Sequence, residues 1–282
     1  MSNLPIRVFV GSGEASLLER KTLIYSLHKH TKRELDIYVF NGTHNAIERN
    51  NEPPVLAPMS LRVKYRNYTE FSSYRFLIPQ ICNNKDRAIF IDSDIIGLAD
   101  IGELFDMPMD GNDILAVKGN YGESDRWAMS VALFNCETCK FDLEQIFDQI
   151  DEGLFQLSDL AGLTPTFLAH HPHKIGKLNP VWNTFDKYDR KTKLIHYTNL
   201  DQQPWKYHDH PYGELWHQYF QEAIKAGFIT QDDISKSLSR AYVRRDILKG
   251  NYSLGGLGRV KAAVSGPTSS AKRVVKSLVR RG

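Results

Sequence analysis

Ile89-Phe90-Ile91-Asp92-Ser93-Asp94 is the stretch on which the reading of the fold turns. Three large apolar residues in succession suit a central strand covered on both faces. The run stops abruptly in two carboxylates. Open parallel sheets take their ligands at the carboxyl ends of strands. Alternation along a continuing strand directs Asp92 and Asp94 to one side, where like charges are unfavourable unless a proton or a cation intervenes. Hard oxygen donors suit magnesium or manganese, ions that commonly take further oxygens from a diphosphate. The competing reading is a structural turn or cap, because Asp-x-Asp recurs by chance in so acidic a chain.

Upstream, Ile6–Val10 reads as a buried strand closed by Gly11-Ser12-Gly13. Leu17, Leu18, Ile24 and Leu27 then mark a helix over about residues 14–29. Leu35–Phe40 is a second strand, and strand–helix–strand at this spacing opens an α/β unit. The three prolines of Glu52–Pro58 predict loop, and a helix is expected from about Phe71 to Cys82. Downstream, Ile114–Val117 and Val131–Phe134 are strand candidates, 142–150 a helix, and 213–226 and 231–248 two late helices. The order predicts a single doubly wound, Rossmann-like α/β domain over 1–250 with a mostly parallel central sheet. Residues 251–282 read as linker and tail.

Composition bounds the function. The chain has 282 residues, 41% of them apolar and 24% charged, enough for a sizeable core and unlike a disordered chain. Three cysteines, Cys82, Cys136 and Cys139, are too few for a disulfide framework and suggest a reducing compartment. One Cys-x-x-Cys without a second pair argues against structural zinc. The start, MSNLPIR, holds no apolar stretch of signal-peptide length, and no run approaches the roughly 18 apolar residues of a membrane span. A cytoplasmic protein is the expectation.

The net charge of +3 hides an asymmetry. From Ile247 onward there are eight bases and no acid, so the remaining 28 bases and 33 acids leave residues 1–246 at −5. A nucleic-acid enzyme more often places such charge around its cleft, so no nucleic-acid partner is expected. Within Ala271–Arg281, Val274, Val275, Leu278 and Val279 form one stripe of a short basic amphipathic helix. That pattern is compatible with the anionic inner face of a membrane, with a disordered tail, or with packing on the body.

Two enzyme classes place Asp-x-Asp after a strand. Haloacid-dehalogenase-type phosphatases set it near the N-terminus and follow it with threonine, whereas here it stands at 92 and Ile95-Ile96 follow. The alternative is a metal-assisted nucleotide-sugar enzyme with a nucleotide half ahead of the carboxylates. The chain resembles the retaining glycosyltransferases of family 8, the glycogenin and bacterial lipopolysaccharide glucosyl- and galactosyltransferase family. Tyr74-Arg75-Phe76-Leu77-Ile78-Pro79 is similar to its Arg-bearing helix, and Phe90–Ile96 with Asp100–Phe105 to its Asp-x-Asp segment. Trp127–Asn135, Val181-Trp182-Asn183, Lys193–Thr198 and Gln203-Pro204-Trp205 follow in the family's order, over about residues 6–220.

The resemblance implies a GT-A fold and a set of roles. Asp92, Asp94 and His196 would hold Mn2+ (or Mg2+) against the diphosphate of a UDP-sugar. Val10, Gly11 and Ser12 would line the uracil and ribose, and Ser93 would approach the ribose. Arg75 would reach the phosphate or the sugar, and Asn135, Gln203 and Lys206 complete the donor side. Asp159 stands nearest the family's sugar-contacting Asp, in Gln156-Leu157-Ser158-Asp159-Leu160, but the glutamine that follows it in the family is absent. In the closing motif Asn199 occupies the glycine position and Gln203 the lysine position, with Lys206 just beyond. The family retains anomeric configuration. Same-face attack by the acceptor, with the leaving phosphate oxygen taking its proton, needs no nucleophile; a covalent intermediate on Asp159 is the other route. The implied reaction is transfer of glucose or galactose to a glycan, lipid-linked or small-molecule acceptor. A UDP-sugar hydrolase and a non-catalytic binder are the alternatives. His170, His171 and His173 form a further loop cluster of open role.

Overall fold

The computed structural model describes residues 5–49, 52–56, 69, 71–120 and 123–250. The basic tail lies outside the described residues. The chain runs β1 (Ile6–Ser12), α1 (Leu17–His30), β2 (Leu35–Asn41), β3 (Ala46–Arg49), β4 (Val55–Leu56), α2 (Ile78–Ile81), β5 (Arg87–Asp92), β6 (Ile95–Gly97) and α3 (Gly102–Phe105). It continues with β7 (Ile114–Asn120), β8 (Glu123–Asn135), α4 (Leu143–Asp151), α5 (Leu157–Gly162), α6 (Pro165–His170), β9 (Ile175–Lys177), β10 (Thr184–Phe185), β11 (Leu194–His196), α7 (Gly213–Lys225) and α8 (Gln231–Ser239). Two compact units result, neither of them one contiguous segment.

Unit one comprises residues up to Glu14, Arg33–Asp92 and Gly102–Asn183. Its sheet has the order β4-β3-β2-β1-β5-β8-β7-β9 among the described residues. The apolar run Ala88–Ile91 is fully buried, as a strand covered on both faces must be. The sheet is mixed, which corrects the expectation of a mostly parallel one. β1 pairs in parallel with β2 and β5, and β7 with β9, whereas β3, β4 and the long β8 pair antiparallel with their neighbours. Phe9, Phe40, Tyr74, Phe90, Phe134 and Phe167 dominate its core. Val55-Leu56, expected within loop, adds a two-residue edge strand. The region ahead of β5 is a 3-10 turn, Tyr74–Leu77, before the short α2.

Gly11 shows how tightly the ligand end of this sheet is built. It pairs across β1 and β5 with Asp92. A Cβ at this position would strike the Phe71 ring and stand 2.8 Å from Phe90 Cζ. Gly11→Ala is therefore expected to cost about 1–3 kcal/mol, the usual cost of overpacking, read as a lower urea midpoint. An unchanged midpoint would mean that the two rings yield freely.

Unit two comprises Ala15–Lys32, Ser93–Ile101 and the chain from Thr184 onward. A small sheet, β10-β11-β6, packs with α1, α7 and α8 around Tyr25, Ile195, Trp205, Trp216 and Phe220. α8 opens on a reciprocal capping box between Thr230 and Asp233. It ends at Ser239 rather than continuing to 248, because Ala241 turns to φ +54°. Trp205 and Trp216 are each at most 1% exposed and serve as core, as Trp182 does in unit one. No helix among the described residues is long and apolar enough to cross a membrane.

Candidate functional site

β5 ends at Asp92, and Ser93-Asp94 form a turn before β6. The two carboxylates are thus brought together by a turn rather than by the alternation of a continuing strand. β6 pairs antiparallel with β11, with His196 opposite Ile95, and Tyr197 N–H donates to the Asp94 carbonyl at 3.0 Å. That ladder sets His196 beside Asp94 across a hundred residues of chain, with Nε2 3.0 Å from Asp94 Oδ1. One donor atom from each of Asp92, Asp94 and His196 lies within 4.8 Å of the others. Two carboxylate oxygens and an imidazole nitrogen form a donor set that fits a divalent manganese or magnesium ion. His196 is 5% exposed, and its ring is tilted against Phe185 at 5.5 Å.

Arg75 stands behind Asp92. Its Nε donates to the Ser72 carbonyl at 2.8 Å, its Nη2 lies 3.5 Å from Asp92 Oδ1, and its guanidinium covers the Phe90 ring at 4.5 Å. Burial lowers its pKa from the ordinary arginine value and Asp92 opposes that shift. The arrangement anchors a fixed cation at the carboxyl end of β5. Val10, Gly11 and Ser12 end β1 and are fully buried or nearly so, with Gly11 level with Asp92. Ser93 is 4% exposed within the Asp92–Asp94 turn.

The remaining expected residues are placed less favourably. Asn135 pairs across the sheet with Arg87, at the start of β5, roughly 17 Å along the strand from Asp92 at about 3.3 Å per residue. On that register it stands at the end of the sheet opposite the carboxylates. Asp159 is occupied as a helix cap: its carboxylate accepts from Gln156 N at 2.8 Å and from Thr164 Oγ1 at 2.8 Å. Gln203 is buried and directs its amide to the Tyr197 carbonyl at 3.5 Å, whereas Lys206 is exposed. The Val181-Trp182-Asn183 motif finds a partner not anticipated from sequence, Asn183 Nδ2 donating to Ser130 Oγ on β8 at 2.8 Å.

His170, His171 and His173 line a shallow cavity of about 280 Å³ with Asp113 and Lys140. Both ring nitrogens of His173 face backbone carbonyls, those of His171 at 3.0 Å and Lys140 at 3.1 Å, so neither is presented as a metal donor. The three cysteines are buried free thiols. Sequence reading missed Glu19 altogether. It is 4% exposed, its Oε2 has no hydrogen-bond partner, and burial raises its pKa to about 8, with Lys206 lowering and Asp94 raising it. Its neighbours along the helix face, Ser16, Thr22 and Ser26, are polar, so the pattern of apolar residues gave no signal that Glu19 is buried.

Comparison with known proteins agrees with this geometry. The profile of Glycosyl transferase family 8 matches residues 17–143. Protein CDI of Arabidopsis thaliana is 27% identical across 56% of this chain and 66% of its own length. The "Probable galacturonosyltransferase 12" of the same plant is 26% identical across 51% of this chain and 33% of its own. The chain thus spans less than two thirds of either relative. Among solved structures, the bifunctional glycosyltransferase WbbM superposes with a TM-score of 0.57 at 16% identity, over 88% of this chain and 52% of that one. The glycosyltransferase GlyE of Streptococcus pneumoniae TIGR4 gives 0.53 at 17% identity over 80% and 64%. The galactosyltransferase LgtC, solved with donor and acceptor sugar analogs, gives 0.52 at 11% over 77% and 96%. Such identities speak to fold alone. The chain is thus similar to Glycosyl transferase family 8 over residues 17–143 and shares a GT-A-like α/β fold with solved glycosyltransferases.

Proposed function

We propose that this chain is a retaining glycosyltransferase that moves a hexose, glucose or galactose, from a UDP-sugar to a glycan, lipid-linked or small-molecule acceptor with the aid of Mn2+ or Mg2+. The observation that carries the reading is the convergence of Asp92, Asp94 and His196 at the end of the central strand. A divalent ion held there supplies positive charge to the departing diphosphate, an interaction that strengthens as the bond to the anomeric carbon lengthens. Arg75 adds a cation fixed by burial. Lys206 rather than Gln203 is assigned to neutralise phosphate, because the Gln203 amide is turned to backbone. Val10, Gly11 and Ser12 present main-chain groups to the nucleoside, and Ser93 its hydroxyl to the ribose.

Asp159 is assigned as a helix cap and not as a nucleophile, since its carboxylate is already engaged. Retention then proceeds by same-face attack. The acceptor oxygen bonds to the anomeric carbon as the diphosphate leaves, and the leaving phosphate oxygen takes the acceptor proton.

The test is a panel of sugar nucleotides with manganese, read by thermal shift and nucleotide release. UDP-glucose or UDP-galactose at about 100 times its Kd should stabilise the chain by roughly 2.7 kcal/mol, and chelator should reverse the shift. Failure of every sugar nucleotide to shift the melting temperature, or indifference to chelator, overturns the reading. Release as fast without acceptor as with one would favour a hydrolase.

A further inference from the structure

Asp186, directly after β10, holds the chain from behind His196. It sits at φ +48°, in the left-handed region that a residue other than glycine enters at a cost of about 1 kcal/mol or more. Its backbone N–H donates to the His196 carbonyl at 2.8 Å. Its Oδ1 accepts from Thr198 N at 2.9 Å and Asn199 N at 3.3 Å, and its Oδ2 accepts from Thr198 Oγ1. One side chain and one N–H thus fix the backbone of residues 196, 198 and 199.

A buried histidine backs this brace. His210 Nε2 lies 3.2 Å from Asp186 Oδ1, and its side chain is wholly buried. Tyr212 N–H donates to His210 Nδ1 at 3.0 Å, which leaves Nε2 as the protonated nitrogen aimed at Asp186. The His210 ring meets Tyr197 edge-on at 4.8 Å. Burial alone would raise the Asp186 pKa, but the hydrogen bonds from His210, Thr198 and Asn199 outweigh it and hold the carboxyl below the usual range.

So many bonds on one strained residue exceed what a surface turn needs. The turn they fix begins at a candidate metal ligand, where small errors of placement matter and outer groups commonly set affinity. We propose that Asp186, backed by His210, is a positioning residue for the metal centre, holding the His196–Asn199 backbone so that His196 Nε2 keeps its place beside Asp94. The inference rests on the metal reading above and deepens it. Neither Asp186 nor His210 is assigned contact with metal or substrate.

The test is Mn2+ affinity of the full chain, followed by electron paramagnetic resonance of the free ion, well below each variant's melting temperature. Asp186→Ala should weaken binding roughly 10–100-fold. Asp186→Asn, which keeps a carbonyl oxygen for the two N–H groups, should recover most of that loss. In a His196→Ala background, Asp186→Ala should add no more than about a twofold loss, because its effect passes through His196. If Asp186→Ala fails to fold, Thr198→Val carries the test, with an expected weakening of about fivefold for one lost hydrogen bond.

Wild-type Mn2+ affinity in Asp186→Ala or, failing that, in Thr198→Val overturns the inference. So does a tenfold further loss in the His196→Ala background. If Asp94→Ala and His196→Ala both bind Mn2+ like the parent, the metal reading fails instead, and this inference with it.

Discussion

Asp94→Ala is expected to lower metal-dependent UDP release by on the order of 10³-fold, the several kcal/mol that a metal ion contributes to stabilising a leaving phosphate, while leaving the fold intact. The substitution removes one carboxylate donor and the 3.0 Å partner of His196 Nε2. It spares the backbone bond from Tyr197 N–H to the Asp94 carbonyl that joins the turn to β11. Stability should hold or rise slightly, since Asp92 and Asp94 are like charges brought close. It should also ease the ionisation of Glu19, whose pKa Asp94 helps to raise. The discriminating result is therefore a split: activity lost, melting temperature kept. Full turnover in Asp94→Ala, in the presence of chelator, would remove the metal from the mechanism.

The parts of this site that the sequence discloses are those fixed by local pattern. The fully apolar Ala88–Ile91 suits a central strand, and the end of such a strand is where an open sheet takes its ligands. His196 closes an apolar pair on a short strand, as its setting in Lys193-Leu194-Ile195 implies. Strand direction is less legible, because alternation of apolar residues is the same in parallel and antiparallel ladders. That is why β8, paired antiparallel with both β5 and β7, converts an expected parallel sheet to a mixed one. Asn135 illustrates the same limit: a residue after a strand is at one end of the sheet or the other according to that strand's direction.

What sequence could not disclose depends on tertiary placement. Asp186 lies in Phe185-Asp186-Lys187-Tyr188-Asp189, which reads as a solvated turn. Its left-handed backbone and its hydrogen bonds to residues 10–24 positions away arise only once β10 lies beside β11. Asp159 looks like a site residue by composition, yet the N–H of Gln156 at its own helix start and the hydroxyl of Thr164, which caps the next helix, claim it. Gln203 in the lysine position predicts a weaker grip on phosphate; the structure adds that Gln203 is turned to backbone while Lys206 is exposed.

Unit two should lose stability steeply as pH falls from about 6.5 to 4. His28, His30 and His217 have pKa values lowered to about 4, in each case chiefly by burial, with Lys29 also lowering His30 and Arg244 lowering His217. Each takes up a proton in the unfolded chain near pH 6.5 but resists it in the fold, so the unfolded state binds more protons across that window and stability rises with pH. His28 is the clearest case, 6% exposed and with Nε2 unpartnered; it alone contributes about 1.4 kcal/mol per pH unit within the window. Glu19 acts with the opposite sign. Its pKa, raised to about 8, means that the fold holds a proton the unfolded chain has released, so from about pH 4.5 to 8 it subtracts stability as pH rises. Three histidines outweigh one carboxyl below pH 6.5, and the carboxyl acts alone above it. The urea midpoint should therefore peak near pH 6.5. Glu19→Gln should raise it more at pH 8 than at pH 5, and His28→Phe should flatten the acid limb. A midpoint independent of pH between 4.5 and 6.5 would show that these histidines take up protons in the fold as readily as in water.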